Sequence, residues 1–211
     1  MGVKSIIKFM YIKVRNCGGD YQYMGKKLSE MNLEELWHLF PIFLTEHQGC
    51  WKDWYKEEEK LLKSILPENQ ILQINHIGST AIEAIWAKPI IDILVEISKE
   101  CDMSGIKQIL VQNGYTCMQQ MENRISLNKG YTEKGFAEKV FHLHLRYIGD
   151  NNELYFRDYL NEHSDIAIEY EELKLCLWKK YEHDRNGYTD AKTEFVAKYT
   201  EAARKKCGDK I

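Results

Sequence analysis

Eight consecutive residues, Ile90-Ile91-Asp92-Ile93-Leu94-Val95-Glu96-Ile97, place a carboxylate inside a run of branched aliphatic side chains. Branched residues favour the pleated backbone, so the run reads as a strand. Strand side chains alternate, which puts Ile90, Asp92, Leu94 and Glu96 on one face and Ile91, Ile93, Val95 and Ile97 on the other. Apolar residues on both faces mark a strand inside a sheet. A carboxylate there is costly to bury unless it is hydrogen-bonded, paired or bound to metal. Asp92 is therefore the first candidate for chemistry. The alternative is a structural role, accepting hydrogen bonds from a loop. Glu96 lies roughly 13 Å further along at 3.3 Å per residue, too far to share one small cation with Asp92. It reads as a strand-end or surface residue.

Upstream, Ile71 to Ile74 reads as a strand, and Gly78-Ser79-Thr80 follows, with Ser79 as the N-cap of a short helix through Ile85. A glycine lets an anion approach the backbone, and amides at a helix start favour a phosphate. The same pattern also fits an ordinary capped turn. Downstream, Val140 to Tyr147 alternates cleanly. Val140, His142, His144 and Arg146 share one face, while Phe141, Leu143, Leu145 and Tyr147 form a core face. Two imidazoles about 7 Å apart suit metal ligation, phosphate binding or proton transfer. A solvated sheet face is the competing reading.

The rest of the chain frames these three segments. Leu28 to Phe40 has helical spacing up to Pro41, and Trp51 to Ile65 carries an apolar stripe that ends before Pro67. That stripe reads as core rather than as a dimer face. Met103 to Asn113 is helical and stops at Gly114. Tyr115 to Met121 and Arg124 to Asn128 read as strands, and Lys129 to Gly135 as a turn. From Glu153 onward the pattern is helical, with breaks near Ser164 and Asn186-Gly187. The expectation is an α+β fold with a mixed or antiparallel sheet flanked by helices and a C-terminal helical segment. Its parts are an extension over 1–27 holding an extra strand or helix, an α+β core over 28–150, and helices over 151–211.

With 29 Lys and Arg against 32 Asp and Glu, the net charge is −3. That balance argues against a strongly basic nucleic-acid binder. No apolar run approaches the roughly 18–20 residues needed to span a bilayer. The six cysteines form no CxxC pair. The N-terminus has no secretory pattern, so reduced thiols and a cytoplasmic location are expected. The expected assembly is a monomer or homodimer.

The blocks His76-Ile77-Gly78-Ser79-Thr80-Ala81 and Ala87-Lys88-Pro89-Ile90-Ile91-Asp92-Ile93-Leu94-Val95 resemble the GrpB family pattern. So do His142-Leu143-His144 ahead of Phe156-Arg157-Asp158-Tyr159-Leu160, and the pairs Tyr170/Lys174 and Tyr188/Lys192. The resemblance spans about residues 28–200. The family pattern has Val-Pro-Gly where this chain reads Ile82-Glu83-Ala84.

The family in turn resembles the DNA polymerase β-like nucleotidyltransferases, whose signature is a Gly-Ser turn followed by a strand bearing Asp-x-Asp. The resemblance implies a nucleotidyltransferase-like protein that binds a nucleoside triphosphate and a divalent metal (magnesium, manganese or zinc). It implies transfer of a nucleotidyl group to a small acceptor. Asp92, His142 and His144 would be the catalytic and metal-binding residues. Gly78, Ser79, Thr80, Lys88, Arg124, Lys129, Arg157, Lys174 and Lys192 would hold the nucleotide. The second carboxylate of the signature is Leu94 here. Two alternatives stay open: a non-catalytic module for a nucleotide or coenzyme A precursor, and a metal-dependent phosphohydrolase.

Overall fold

A computed structural model describes residues 11–15 and 21–208. Two antiparallel strands, β1 (Tyr11–Arg15) and β2 (Tyr21–Gly25), form a separate hairpin. Residues 1–10 and 16–20 of the extension, with Cys17, lie outside the described residues. After a turn of 3₁₀ helix at Leu28–Glu30 comes α1 (Leu33–Leu39), shorter than the helical spacing suggested. Its start is sealed by Asn32 and Glu35, each side chain accepting the other's backbone N–H.

The central sheet contains β3 (Ile71–Ile77), β4 (Ile91–Ile97), β5 (Thr116–Gln120), β6 (Arg124–Thr132) and β7 (Gly135–Tyr147), in the order β3-β4-β7-β6-β5. All pairings are antiparallel except β4 with β7. The sheet is thus mixed, and the fold is α+β. The turn expected over 129–135 is narrower: β6 runs to Thr132 and β7 begins at Gly135.

Helices α2 (Cys50–Ile65) and α3 (Met103–Gln112) belong to the core on one side of the sheet. Trp51 and Leu62 of α2 and Ile106 and Leu110 of α3 join Ile91, Ile93, Val95, Ile97, Phe141, Leu143 and Leu145 there. These are the faces that alternation assigned to the interior, and Trp51 is fully buried. Gly114, at φ +90°, follows α3 as its stop. A second apolar cluster joins Ile82 and Ile85 to α4 (Asn152–Glu162), α5 (Ser164–Lys180) and α7 (Thr193–Gly208). The short α6 (Arg185–Asp190) packs beside α5. Cys50, Cys101, Cys117, Cys176 and Cys207 are all free thiols. Among the described residues no helix is long and apolar enough to cross a membrane.

Two sequence readings need correction. Glu96 does lie at the end of β4 but is not at the surface: it is completely buried, and its Oε1 accepts from the Gly149 N–H at 3.0 Å and from Asn151 at 3.2 Å. Its partner across β4 and β7 is Arg146, which is also buried. The short helix after Gly78 is one 3₁₀ turn, Ser79–Ala81, not a helix through Ile85.

The loop after that turn is held from outside. Asn161 of α4 accepts the Glu83 N–H and donates to Ala81 O. Glu171 of α5 accepts the Trp86 N–H, and Lys174 donates to Trp86 O. Within this loop Ala84 has φ +63°, the one positive φ among described non-glycine residues. It occupies the position where the family pattern carries glycine. A Cβ in that conformation costs roughly 1–2 kcal/mol. Replacing it by glycine also loosens the unfolded chain by about 0.4–1 kcal/mol. Ala84→Gly should therefore stabilise the protein by about 0.5–1 kcal/mol, read as a raised urea midpoint; a lowered midpoint contradicts strain at this residue.

Candidate functional site

Parallel pairing of β4 with β7 sets Asp92 opposite His142 and Leu94 opposite His144. Asp92 Oδ1 lies 3.4 Å from His142 Nδ1 and 3.5 Å from His144 Nε2. The other carboxylate oxygen faces Gly78, which ends β3 at φ +72°. A Cβ built there would stand 2.4 Å from Asp92 Oδ2. Glycine is thus required twice, by its backbone angle and by the approach of the carboxylate.

Thr80 fixes the turn to β4: its hydroxyl donates to Ile90 O at 3.1 Å and lies 3.0 Å from His76 Nε2. A second chain of contacts leaves His142. Its Nε2 is 2.7 Å from the Tyr131 hydroxyl, which accepts a hydrogen bond from Arg185 at 2.9 Å. His144 Nδ1 is 3.4 Å from an Arg146 nitrogen.

These groups open onto a cavity of about 850 Å³ between the sheet and helices α4 to α7. That is the usual size for a small-molecule or cofactor site. Gly78, Ser79 and Thr80 line one side, with Asp92, His142 and His144 on the sheet. Lys88, Lys174 and Lys192 close the other, together with Tyr170 and Tyr188. Lys88 and Lys192 lie 5.1 and 4.2 Å from the Tyr188 ring centre, and Lys174 lies 4.8 Å from that of Tyr170. Arg124 and Arg204 also line the cavity, so five cationic side chains face three carboxylates, Asp92, Glu153 and Glu201.

Burial shapes the charges. It pushes Lys88 down to about 7, helped by Lys192 and Arg185, and Lys174 down to about 7, helped by Lys192. Burial also brings Lys192 to about 8. The Tyr170 phenol is pushed up to about 12 by burial, against a hydrogen bond with the Ser79 side chain. Burial likewise holds His142 below the usual imidazole range, although Asp92 opposes it. At Asp92 burial works upward, but hydrogen bonds from His142 and His144 win and keep the carboxyl well below its ordinary range. Asp92 is therefore ionised at neutral pH, and near pH 7 the lysines sit close to their midpoints.

Of the residues expected to hold a nucleotide, Gly78, Ser79, Thr80, Lys88, Arg124, Lys174 and Lys192 line the cavity. The structure does not bring Lys129 or Arg157 there. Lys129 donates to Glu58 of α2 at 2.7 and 2.9 Å and lies 5.5 Å from the ring of Phe141, a core-face residue. Arg157 donates to His76 O at 2.7 Å and pairs with Asp158, bracing α4 against β3. Arg124 reaches the rim already held by two hydrogen bonds to Asp150.

The donor set does not fit a two-metal centre. Leu94 is fully buried where the second carboxylate would stand. Among the described residues no group of three His, Cys, Asp or Glu side chains is arranged to hold a metal. Tyr131 and Arg185 went unnoticed in the sequence because only the folded chain brings β6 and α6 to His142. Arg146 carried a signal, since it shares the strand face of both histidines.

Fold and site together define a class: an α+β protein in which a glycine–serine turn and a lysine cluster line a cavity beside a strand aspartate held by two imidazoles. The comparisons place it further. Residues 41–202 match the model of the GrpB protein family. The glutamate-rich protein GrpB of Alkalihalophilus pseudofirmus is 37% identical over 161 residues, covering 74% of this chain and 91% of that protein. The UPF0157 protein YqkA of Bacillus subtilis is 33% identical over 186 residues, covering 85% of this chain and 53% of its own length. A crystal structure of conserved protein GrpB from Enterococcus faecalis superposes with a TM-score of 0.68 at 31% identity, over 78% of this chain and 98% of that one. The chain belongs to the GrpB family.

Gly78→Ala should lower stability by at least about 1–2 kcal/mol from the backbone angle alone, and should displace Asp92 from between the two imidazoles. Urea unfolding and the imidazole NMR shifts measure the two effects. An unchanged midpoint with unchanged shifts contradicts the close approach.

Proposed function

We propose that the protein is nucleotidyltransferase-like in its ligand: it binds a nucleoside triphosphate, or a comparably phosphorylated small molecule, in the cavity beside Asp92. The phosphates lie against the Gly78-Ser79 turn and among Lys88, Lys174 and Lys192. The observation that carries this reading is the cluster of three largely buried lysines facing a glycine–serine turn. Buried amines with depressed pKa values lack a charge partner of equal strength, and a polyanion supplies it. The apolar part of the ligand rests on Phe156, Val196 and Ala197.

A second reading, binding without transfer, is favoured by two observations. Leu94 removes a carboxylate from the signature, and Asp92 is held too acidic to be an effective proton acceptor near pH 7. Labelled α-phosphate appearing in a new product with any acceptor pool supports transfer. Binding with no turnover supports the module.

Calorimetry with ATP, GTP, CTP and UTP, with and without magnesium, tests the shared claim. At least one is expected to bind. Lys88→Met should weaken it about tenfold or more, equivalent to roughly 1.4 kcal/mol. Absence of binding by every phosphorylated ligand tried, in folded protein, refutes the reading.

The pH dependence has a definite sign. The three lysines have folded pKa values below that of the unfolded chain, so between about pH 7 and 10 the unfolded state holds more protons. Stability of the ligand-free protein should rise with pH through that window as the burial cost of the charges is relieved. Phosphate affinity should fall over the same window, because the amines become neutral. Thermal unfolding and calorimetry at pH 7, 8 and 9 test both trends, and parallel trends refute the assignment.

A further inference from the structure

We propose that Arg146 is a positioning residue that fixes the tautomer of His144. It makes His144 a hydrogen-bond donor to Asp92 rather than a metal ligand. The guanidinium is held in place: Nη1 donates to Leu145 O at 3.0 Å and to Ile125 O at 3.3 Å. Asp150 lies 3.8 Å from Nε. The side chain is almost completely buried, so it has no alternative orientation in water. Its Nη2 faces His144 Nδ1 at 3.4 Å.

A guanidinium carries donors and no acceptor. His144 Nδ1 must therefore present its lone pair, and the proton of the neutral ring sits on Nε2. That nitrogen is 3.5 Å from Asp92 Oδ1, so the N–H is aimed at the carboxylate. A metal-binding histidine has the opposite polarity: the ligating nitrogen gives its lone pair, and the other donates its N–H to an acceptor. Arg146 offers no acceptor, so metal ligation by His144 would set two donors face to face.

His142 donates through its other nitrogen. Its Nδ1 lies 3.4 Å from Asp92 Oδ1, so the proton of the neutral ring sits there and Nε2 accepts from the Tyr131 hydroxyl. The two imidazoles thus hold Asp92 in opposite tautomers, and what faces the second nitrogen differs: a guanidinium for His144, a phenol for His142. This inference goes beyond the phosphate-binding reading and does not depend on it.

Long-range ¹H–¹⁵N correlation of ligand-free, ¹⁵N-labelled protein at pH 7.5 reads the tautomers directly. His144 Nδ1 should appear as an unprotonated nitrogen and Nε2 as a protonated one. A proton on Nδ1 overturns the proposal. Zinc titration of the same sample should leave the His144 resonances in place, whereas movement of His144 with one equivalent of zinc overturns it. In Arg146→Lys the tautomer should persist. In Arg146→Gln both tautomers should appear, and zinc affinity should rise about tenfold, as removing an opposing outer-shell group implies. A single, unchanged tautomer in Arg146→Gln assigns no role to Arg146 and also overturns it. If these variants unfold, the wild-type spectrum and zinc titration still decide. No nucleotide is present, so failure here is distinct from failure of ligand binding.

Discussion

The parallel register of β4 against β7 is the constraint on which the site depends. Parallel strands line up residues at equal steps, so one alignment brings Asp92 to His142 and Glu96 to Arg146. A shift by one residue would turn Asp92 toward Trp51 and Leu62, in the interior. The register is held by the core face, where Ile91, Ile93, Val95 and Ile97 meet Phe141, Leu143 and Leu145. Hydrophobic burial behind the sheet thereby decides the chemistry in front of it.

The front of the sheet is electrostatically unbalanced. Asp92 is satisfied by two imidazoles, and Gly78 closes over it. Opposite stand amines that burial makes reluctant to ionise. Lys174 also holds Trp86 O, so one side chain both lines the cavity and anchors the loop. On the proposed reading, an anion entering this space would supply the counter-charge that these amines lack.

Much of this was legible in the residues. Period-two alternation set Asp92 on the face opposite Ile91, Ile93, Val95 and Ile97 of a central strand, and set His142 and His144 opposite the core face of Phe141, Leu143 and Leu145. The glycine–serine turn was recognisable because backbone needs limit that position to glycine. Glu96 was misread because alternation gives a face but not what covers it; the turn through Gly149 to Asn151 folds over it and supplies donors. Lys129 and Arg157 carry the right charge but are claimed by Glu58 and by the His76 carbonyl. Their faces follow from β6 pairing and α4 docking, which no local pattern encodes. Tyr131 and Arg185 are separated by 54 residues and meet only in the finished fold.

The cavity's two walls come from different stretches of chain. The sheet wall is complete by Tyr147, whereas Val196, Thr200 and Arg204 belong to the last helix. The carboxylate and its imidazoles are therefore enclosed only when α7 docks against them. A ligand held there as proposed would in turn favour chains whose α7 has docked.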